Sequence, residues 1–335
     1  MKYFLLLLFF SATTTTTTFF AQTLTKRLVV DMETRKIIPD ARVIFEDQIY
    51  YSNDEGNVLL PSNAKDFEIS LSGYVTQIIN NFQPIIALKP AYSDIVEVKI
   101  INIDVKKIFK DVIKHYDDIY YDKSAMYDVT YSQRTFEDNE MRQLMIADGK
   151  FWSRNGEYNF KDGSKSNYDK FVQLQIDDLR YLKKVDYLFK GRAKTSIAPH
   201  DNIGNMFLSY HLSRIFGFMN SKDAVVRGRL LYENSEEQEI YFRIKLTTNS
   251  EYSGKIIFNK KDKAITYLEH NFLQSNSALQ NVEDENGVKF LYQAGDGNFI
   301  YDFYKVGSKY VPARISVKSD GFKYITSSKD YIVSA

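Results

Sequence analysis

The chain of 335 residues has no cysteine, six prolines, one tryptophan and only four histidines. Without cysteine there is no disulfide, no thiolate nucleophile and no residue to carry the lipid of an ordinary lipoprotein anchor. The redox compartment stays open, because an exported protein can do without disulfides. His115, His200, His211 and His270 never fall in an H-E-x-x-H pattern, and none pairs with a carboxylate at metal-ligand spacing on a clear helix. No G-x-S-x-G elbow occurs. Beyond the N-terminus no stretch approaches eighteen uninterrupted apolar residues, so no helical membrane span is expected. A surplus of one charge is missing too. Lys2 is the one charge in the first 21 residues, and the other 43 basic residues match 43 acidic ones. That balance gives no electrostatic reason to expect nucleic acid or an anionic membrane as partner. Catalytic residues, metal and cofactor are all expected to be absent.

Apolar residues make up 44% of the chain and charged residues 26%, enough for packed cores and too little charge for disorder. Aromatics reach 15%, with 25 Tyr and 24 Phe, and lean toward β structure. The length suits two domains. Residues 1–21 have the form of an export signal, with Lys2 as the charged start, Tyr3 to Phe10 as the apolar run and Ala21 before the cut. Phe19 is bulkier than such a site usually carries.

Residues 22–100 read as short strands parted by turns, the pattern of a β-sandwich. Leu28-Val29-Val30 begins a strand, Asp54-Glu55-Gly56-Asn57 is a turn with Gly56 supplying positive φ, and Phe67, Ile69 and Leu71 alternate with polar neighbours. Four stretches follow in a fixed order: Ile38-Pro39-Asp40-Ala41-Arg42-Val43, Asp54 to Val58, Ile69 to Tyr74, and Ile86-Ala87-Leu88 with Val96-Glu97-Val98. As an ordered set they resemble the carboxypeptidase-regulatory-like domain, a transthyretin-like sandwich that opens many exported proteins of the Bacteroidetes group. The resemblance covers under a quarter of the chain and implies a structural or interaction module without catalytic residues. Arg27-Leu28 departs from it, standing where that family usually has a glycine.

Residues 101–120 carry a helix, Asp104 to Ile119, with Val105, Ile108, Phe109, Val112 and Tyr116 on one face and Asp104 as cap. It is expected to connect the sandwich to a second β domain over 121–335. There, alternation at Tyr127, Val129 and Tyr131 opens a hairpin through Met141 to Trp152, with Leu144, Ile146 and Phe151 inward. Residues 155–203 are polar and irregular, an insertion or lid, with a short helix over 175–187. A second helix, Asn205 to Met219, is apolar nearly all round and therefore expected to be enclosed. After it, eight strands in meander order end at Val333, joined by hairpin turns that include 295–298 and Asp320-Gly321. The expected fold is mainly β: a sandwich, then a curved antiparallel sheet, or half-barrel, around one or two helices. In architecture alone the second domain is similar to the half-barrels of periplasmic lipoprotein carriers. A membrane-spanning barrel fits poorly, because Ala224 to Leu231 carries Arg227 and Arg229.

His211 and Arg214 lie one turn apart on the apolar helix, where they can meet a polar head group. With Phe207, Tyr210, Phe216 and Phe218 they form the candidate ligand-binding set. Asp117, Asp118 and Asp122 lack the spacing of a calcium loop and read as a solvated helix end. The expected protein is exported to the periplasm or the periphery of the outer membrane. It is non-enzymatic and binds a lipid or other apolar ligand, or a partner segment. Two alternatives remain, an adaptor for an outer-membrane protein and a hydrolase with a site near His200 and His211.

Overall fold

The computed structural model describes residues 23–46, 48–91, 101–154, 172–189, 208–246, 250–274, 279–283 and 287–334. The segment 1–21, read as an export signal, lies outside them. The chain forms two compact units, one within residues 1–97 and one within 98–335.

The first unit has seven short strands: β1 (Leu24–Asp31), β2 (Arg42–Phe45), β3 (Gln48–Tyr51), β4 (Asn57–Pro61), β5 (Phe67–Ser70), β6 (Gln77–Ile79) and β7 (Ile85–Leu88). They make two sheets, β4-β1-β7 and β3-β2-β5-β6. All pairs are antiparallel except β1 with β7. Alternate residues of both sheets, among them Val29, Val58, Leu60, Ile86, Val43, Phe67 and Ile69, meet in one core, which makes the unit a sandwich. Gly56 has φ 73°, as its turn requires. Arg27 shares the inward parity of Val29 and is fully buried. Its Nη2 donates to the Ala64 carbonyl at 2.7 Å, and its guanidinium lies 4.9 Å from the Phe67 ring centroid and 5.1 Å from that of Phe82. Burial pushes its pKa down.

The second unit opens with α1 (Val105–Lys114), whose first turn is capped by Asp104 accepting from Lys107 N at 3.0 Å. The helix read over 104–119 breaks at His115, and α2 (Tyr116–Ile119) follows. Strands β8 (Ala125–Glu137), β9 (Glu140–Ser153) and β10 (Val172–Lys184) come next, then α3 (Leu208–Met219). Ten strands complete the unit: β11 (Val225–Glu233), β12 (Glu237–Lys245), β13 (Glu251–Asn259), β14 (Ala264–Leu273), β15 (Gln280–Glu283), β16 (Lys289–Ala294), β17 (Gly297–Val306), β18 (Lys309–Ser319), β19 (Phe322–Ile325) and β20 (Asp330–Ser334).

Three readings of the sequence are corrected here. The segment 175–187 is not a helix, because β10 pairs along its length with β9. Its residues beyond Val172 are almost all exposed, so no apolar alternation marked it as a strand. Leu144 and Ile146 are half-buried, while Met145, Ala147 and Phe151 are the inward residues of β9. The late strands do not form one meander. A six-stranded sheet has the order β11-β12-β13-β14-β17-β18, whereas β15, β16, β19 and β20 join β8 to β10 in a seven-stranded sheet. Among the described residues no sheet closes into a barrel.

The chain changes sheet between β16 and β17 and again between β18 and β19, so these turns are crossings and not hairpins. They lie side by side, with Gly295 N donating to the Gly321 carbonyl at 2.6 Å. A Cβ on Gly295 would come within 2.2 Å of that oxygen, and Gly321 has φ 107°. That approach explains Gly295, while its positive φ and the Val333 carbonyl, 2.1 Å from any Cβ there, explain Gly321.

Helices α1 and α3 lie on one face of the six-stranded sheet. Val105, Phe109 and Val112 of α1 share a core with Leu208, Leu212, Ile215 and Met219 of α3 and with Ile240, Phe242, Ile256, Leu268 and Tyr301 of the sheet. The expected connector helix is therefore part of this core. Two helices side by side span about 20 Å and six strands about 24 Å, so the helices nearly cover the face. Tyr120 completes the layer. Its hydroxyl donates to Ile265 O at 2.8 Å and accepts from Ile265 N at 3.1 Å, beside the register shift that skips Thr266 in the β13–β14 ladder and short of Tyr267, where pairing of β14 with β17 begins. Tyr120→Phe is expected to strand both backbone groups and cost about 1–3 kcal/mol. Urea unfolding will read this as a lower midpoint at unchanged slope; an unchanged midpoint would contradict it.

Candidate functional site

Helix α3 lies between two layers. Leu208, Leu212, Ile215 and Met219 turn to the six-stranded sheet, each worth roughly 1.5–3 kcal/mol over an exposed position. Tyr210 packs instead on Phe151, Val172, Tyr127, Val129 and Leu174 from β8, β9 and β10. Of the twelve residues only Gly217 is exposed. A helix with so little polar surface can exist only where structure covers it on more than one side.

The register of the six-stranded sheet places His270 at its centre. Phe242 faces Gly254, Gly254 faces His270, and His270 faces Phe299. Gly254 has no side chain to fill its place beside His270, and the His211 ring of α3 reaches this point. Nε2 of His270 lies 3.2 Å from Nδ1 of His211. Both imidazoles are buried, with the His270 ring stacked on Phe299 at 4.7 Å and His211 within 5.2 Å of Tyr301. Burial, helped by the Arg214 charge, pushes the His270 pKa down to about 3. This ring is neutral at ordinary pH.

Arg214, one turn along α3 from Tyr210, lies at the rim of the core. Its guanidinium carbon is 5.7 Å from the Phe218 ring centroid and 5.5 Å from that of Phe272. It also hydrogen-bonds Tyr252. Phe218 stacks on Tyr252 at 4.2 Å, and Tyr252 on Phe272 at 5.1 Å. The register explains the grouping, since Tyr252 faces Phe272 across β13 and β14. Arg214, Phe218 and Phe272 are half-buried, and Nε of Arg214 is buried with no hydrogen-bond partner among the described residues. A cation set among apolar rings and partly open to solvent suits an anionic group attached to an apolar body.

Among the candidate residues, Tyr210, His211, Arg214, Phe216 and Phe218 all lie on α3, and Phe207 is outside the described residues. They divide by depth. His211 is enclosed, Tyr210 faces the seven-stranded sheet, and Arg214 and Phe218 reach the rim, while Phe216 packs half-buried on the core. His200, the other member of the proposed hydrolase pair, is also outside the described residues. His270, Tyr252 and Phe272 were missed in the sequence, because only the strand register brings them beneath the helix. His115 ends α1, with Nδ1 3.2 Å from Asp118 Oδ2 at the surface. Among the described residues no group of three His, Cys, Asp or Glu side chains could hold a metal ion.

A second buried polar group lies in the other sheet. The fully buried Glu137 carboxylate accepts from Leu188 N at 2.7 Å and Phe189 N at 2.8 Å and faces Arg142 Nε at 3.0 Å. It holds residues 187–189 on the aromatic face formed by Phe290, Tyr324 and Val333, and every contact it makes is internal. Its role is structural.

No protein-family model matches the chain, and neither a curated protein nor a solved structure is found similar to it. Fold and site therefore define only a class: a mainly β protein of two units, the second carrying an enclosed apolar helix with a cation at its rim. Among the described residues no helix is long and apolar enough to cross a membrane.

The buried His270 makes stability depend on pH. Unfolded, His270 titrates near 6.5, and folded, near 3. Between these values the unfolded chain binds more protons, so stability is full above about pH 6.5 and falls as pH drops toward 3. The slope is up to about 1.4 kcal/mol per pH unit. His270→Leu is expected to flatten the thermal stability profile between pH 7 and 5. It also strands the His211 nitrogen at a cost of about 1–3 kcal/mol, most of which His211→Leu should restore. An acid slope unchanged in His270→Leu would contradict the assignment.

Proposed function

We propose that the chain is an exported, non-enzymatic protein whose second unit binds an amphipathic anion, a lipid-like molecule with an acidic head and an apolar body. The observation that carries this reading is Arg214. Its charge is held over Phe218 and Phe272 at the border of a large apolar core, where a head group can meet the guanidinium while a tail lies along the rings. The export signal read in residues 1–21 supports placement in the envelope, and the motif order of the first unit supports a carboxypeptidase-regulatory-like module there. His211 and His270 back the site by fixing α3 over the sheet and do not themselves contact the ligand.

Native mass spectrometry of protein isolated from its own envelope is expected to find a co-purifying lipid-like mass. Arg214→Gln should weaken displacement of a fluorescent fatty acid by about tenfold, the loss of one charge-assisted contact. Repeated isolation without any such mass, together with unchanged displacement in Arg214→Gln, would sink the proposal.

One observation favours the adaptor as a second reading. The outward face of the β4-β1-β7 sheet carries Leu24, Leu59 and Ile85, all exposed, around the half-buried Leu28. Crosslinking in cells that captures a stable protein partner through this face, with no lipid-like mass bound, would favour the adaptor.

A further inference from the structure

Strand β10 ends the seven-stranded sheet, and among the described residues no strand pairs with its outer edge. It runs thirteen residues, and beyond Leu174 every one of them is exposed. Four are large and apolar: Ile176 at 38% exposure, Leu179 at 47%, Tyr181 at 48% and Leu182 at 53%. A long edge with unpaired amides and carbonyls and this much apolar surface is a template for a further strand.

Edge strands are often protected by charge and by bulges, and β10 has both. Its ladder with β9 shifts register between Ile176 and Asp178 and again between Asp178 and Tyr181. The charges, however, are sorted by sign along the strand. Asp177 and Asp178 precede the midpoint of this exposed stretch, and Lys183 and Lys184 follow it. Arg180, near the midpoint, is engaged within its own sheet by Asp148. A purely protective edge would repel any strand, as a run of lysines does. This edge repels a parallel copy in register, where like meets like. It attracts an antiparallel copy, where each acidic pair faces the partner's basic pair.

We propose that β10 is the dimerisation edge of this protein, pairing antiparallel with β10 of a second copy about a two-fold axis near Arg180 and Tyr181. The two seven-stranded sheets would then join into one, with Leu179 and Leu182 at the centre of the seam and the charge pairs at its ends. The inference stands apart from ligand binding, because none of these residues belongs to the Arg214 rim.

The test is sedimentation equilibrium of the full chain over a wide concentration range, with hydrogen exchange read at the β10 amides. A reversible dimer is expected, with amide protection in β10 rising as concentration rises. D177K/D178K makes the edge wholly basic, and K183D/K184D leaves it acidic but for Arg180, which Asp148 already engages. Each should weaken self-association about tenfold or more, while an equimolar mixture of the two should associate at least as well as the unaltered protein. All four positions are exposed, so both variants should keep the unaltered circular dichroism spectrum. Three results would overturn the proposal: a monomer at every concentration, a dimer indifferent to both reversals, or a mixture that fails to associate. So would β10 protection that appears only with a different protein bound.

Discussion

The second unit depends on the enclosure of one helix. From Leu208 to Met219 most side chains are apolar and only Gly217 is exposed, and the backbone bonds of a helix leave its side chains as its only surface. The six-stranded sheet supplies one wall and β8, β9 and β10 supply another. The sheet crossings at Gly295 and Gly321 follow from this demand. A single meander of late strands could cover the helix from one side only, and sending β15, β16, β19 and β20 into the other sheet ties the two walls together. Tyr120 belongs to the same layer, since its buried hydroxyl satisfies the Ile265 backbone groups that no strand reaches there.

Enclosure also decides the chemistry of the polar groups trapped with the helix. His270 and His211 meet through one nitrogen each, and His270 remains neutral because burial opposes a charge at that depth. Arg214 is the exception. Its guanidinium lies at the rim, half-buried, beside Phe218, Phe272 and Tyr252. A buried histidine pair thus lies one helical turn from a half-buried cation on the same helix. Glu137 shows the contrasting case in the other sheet, a buried carboxylate whose partners are all supplied by the chain.

Local signals in the sequence carried a good part of this fold. Three- and four-residue spacing marked α1, a run apolar nearly all round marked α3, and alternation marked β5 and the start of β8. The apolar character of 208–219 foretold that it would be covered. What failed was pairing. Consecutive strands usually neighbour one another, so a meander was the natural reading, and nothing local in Gly295 or Gly321 says that the chain changes sheet there. Strand β10 was hidden for a different reason: exposed on both faces, it has no buried side to reveal a period of two. The site divides the same way. His211, Arg214 and Phe218 share one helix and could be grouped from spacing, whereas His270, Tyr252 and Phe272 join them only through cross-strand register.

The claim beneath all of this is that α3 lies covered on both sides in solution. Hydrogen exchange at the amides of Leu212 to Met219 tests it without reference to any ligand. If the helix is enclosed, these amides exchange only when the whole second unit unfolds, with protection matching its global stability. Exchange that is orders of magnitude faster than global unfolding, at rates typical of a helix lying on a surface, would contradict the account.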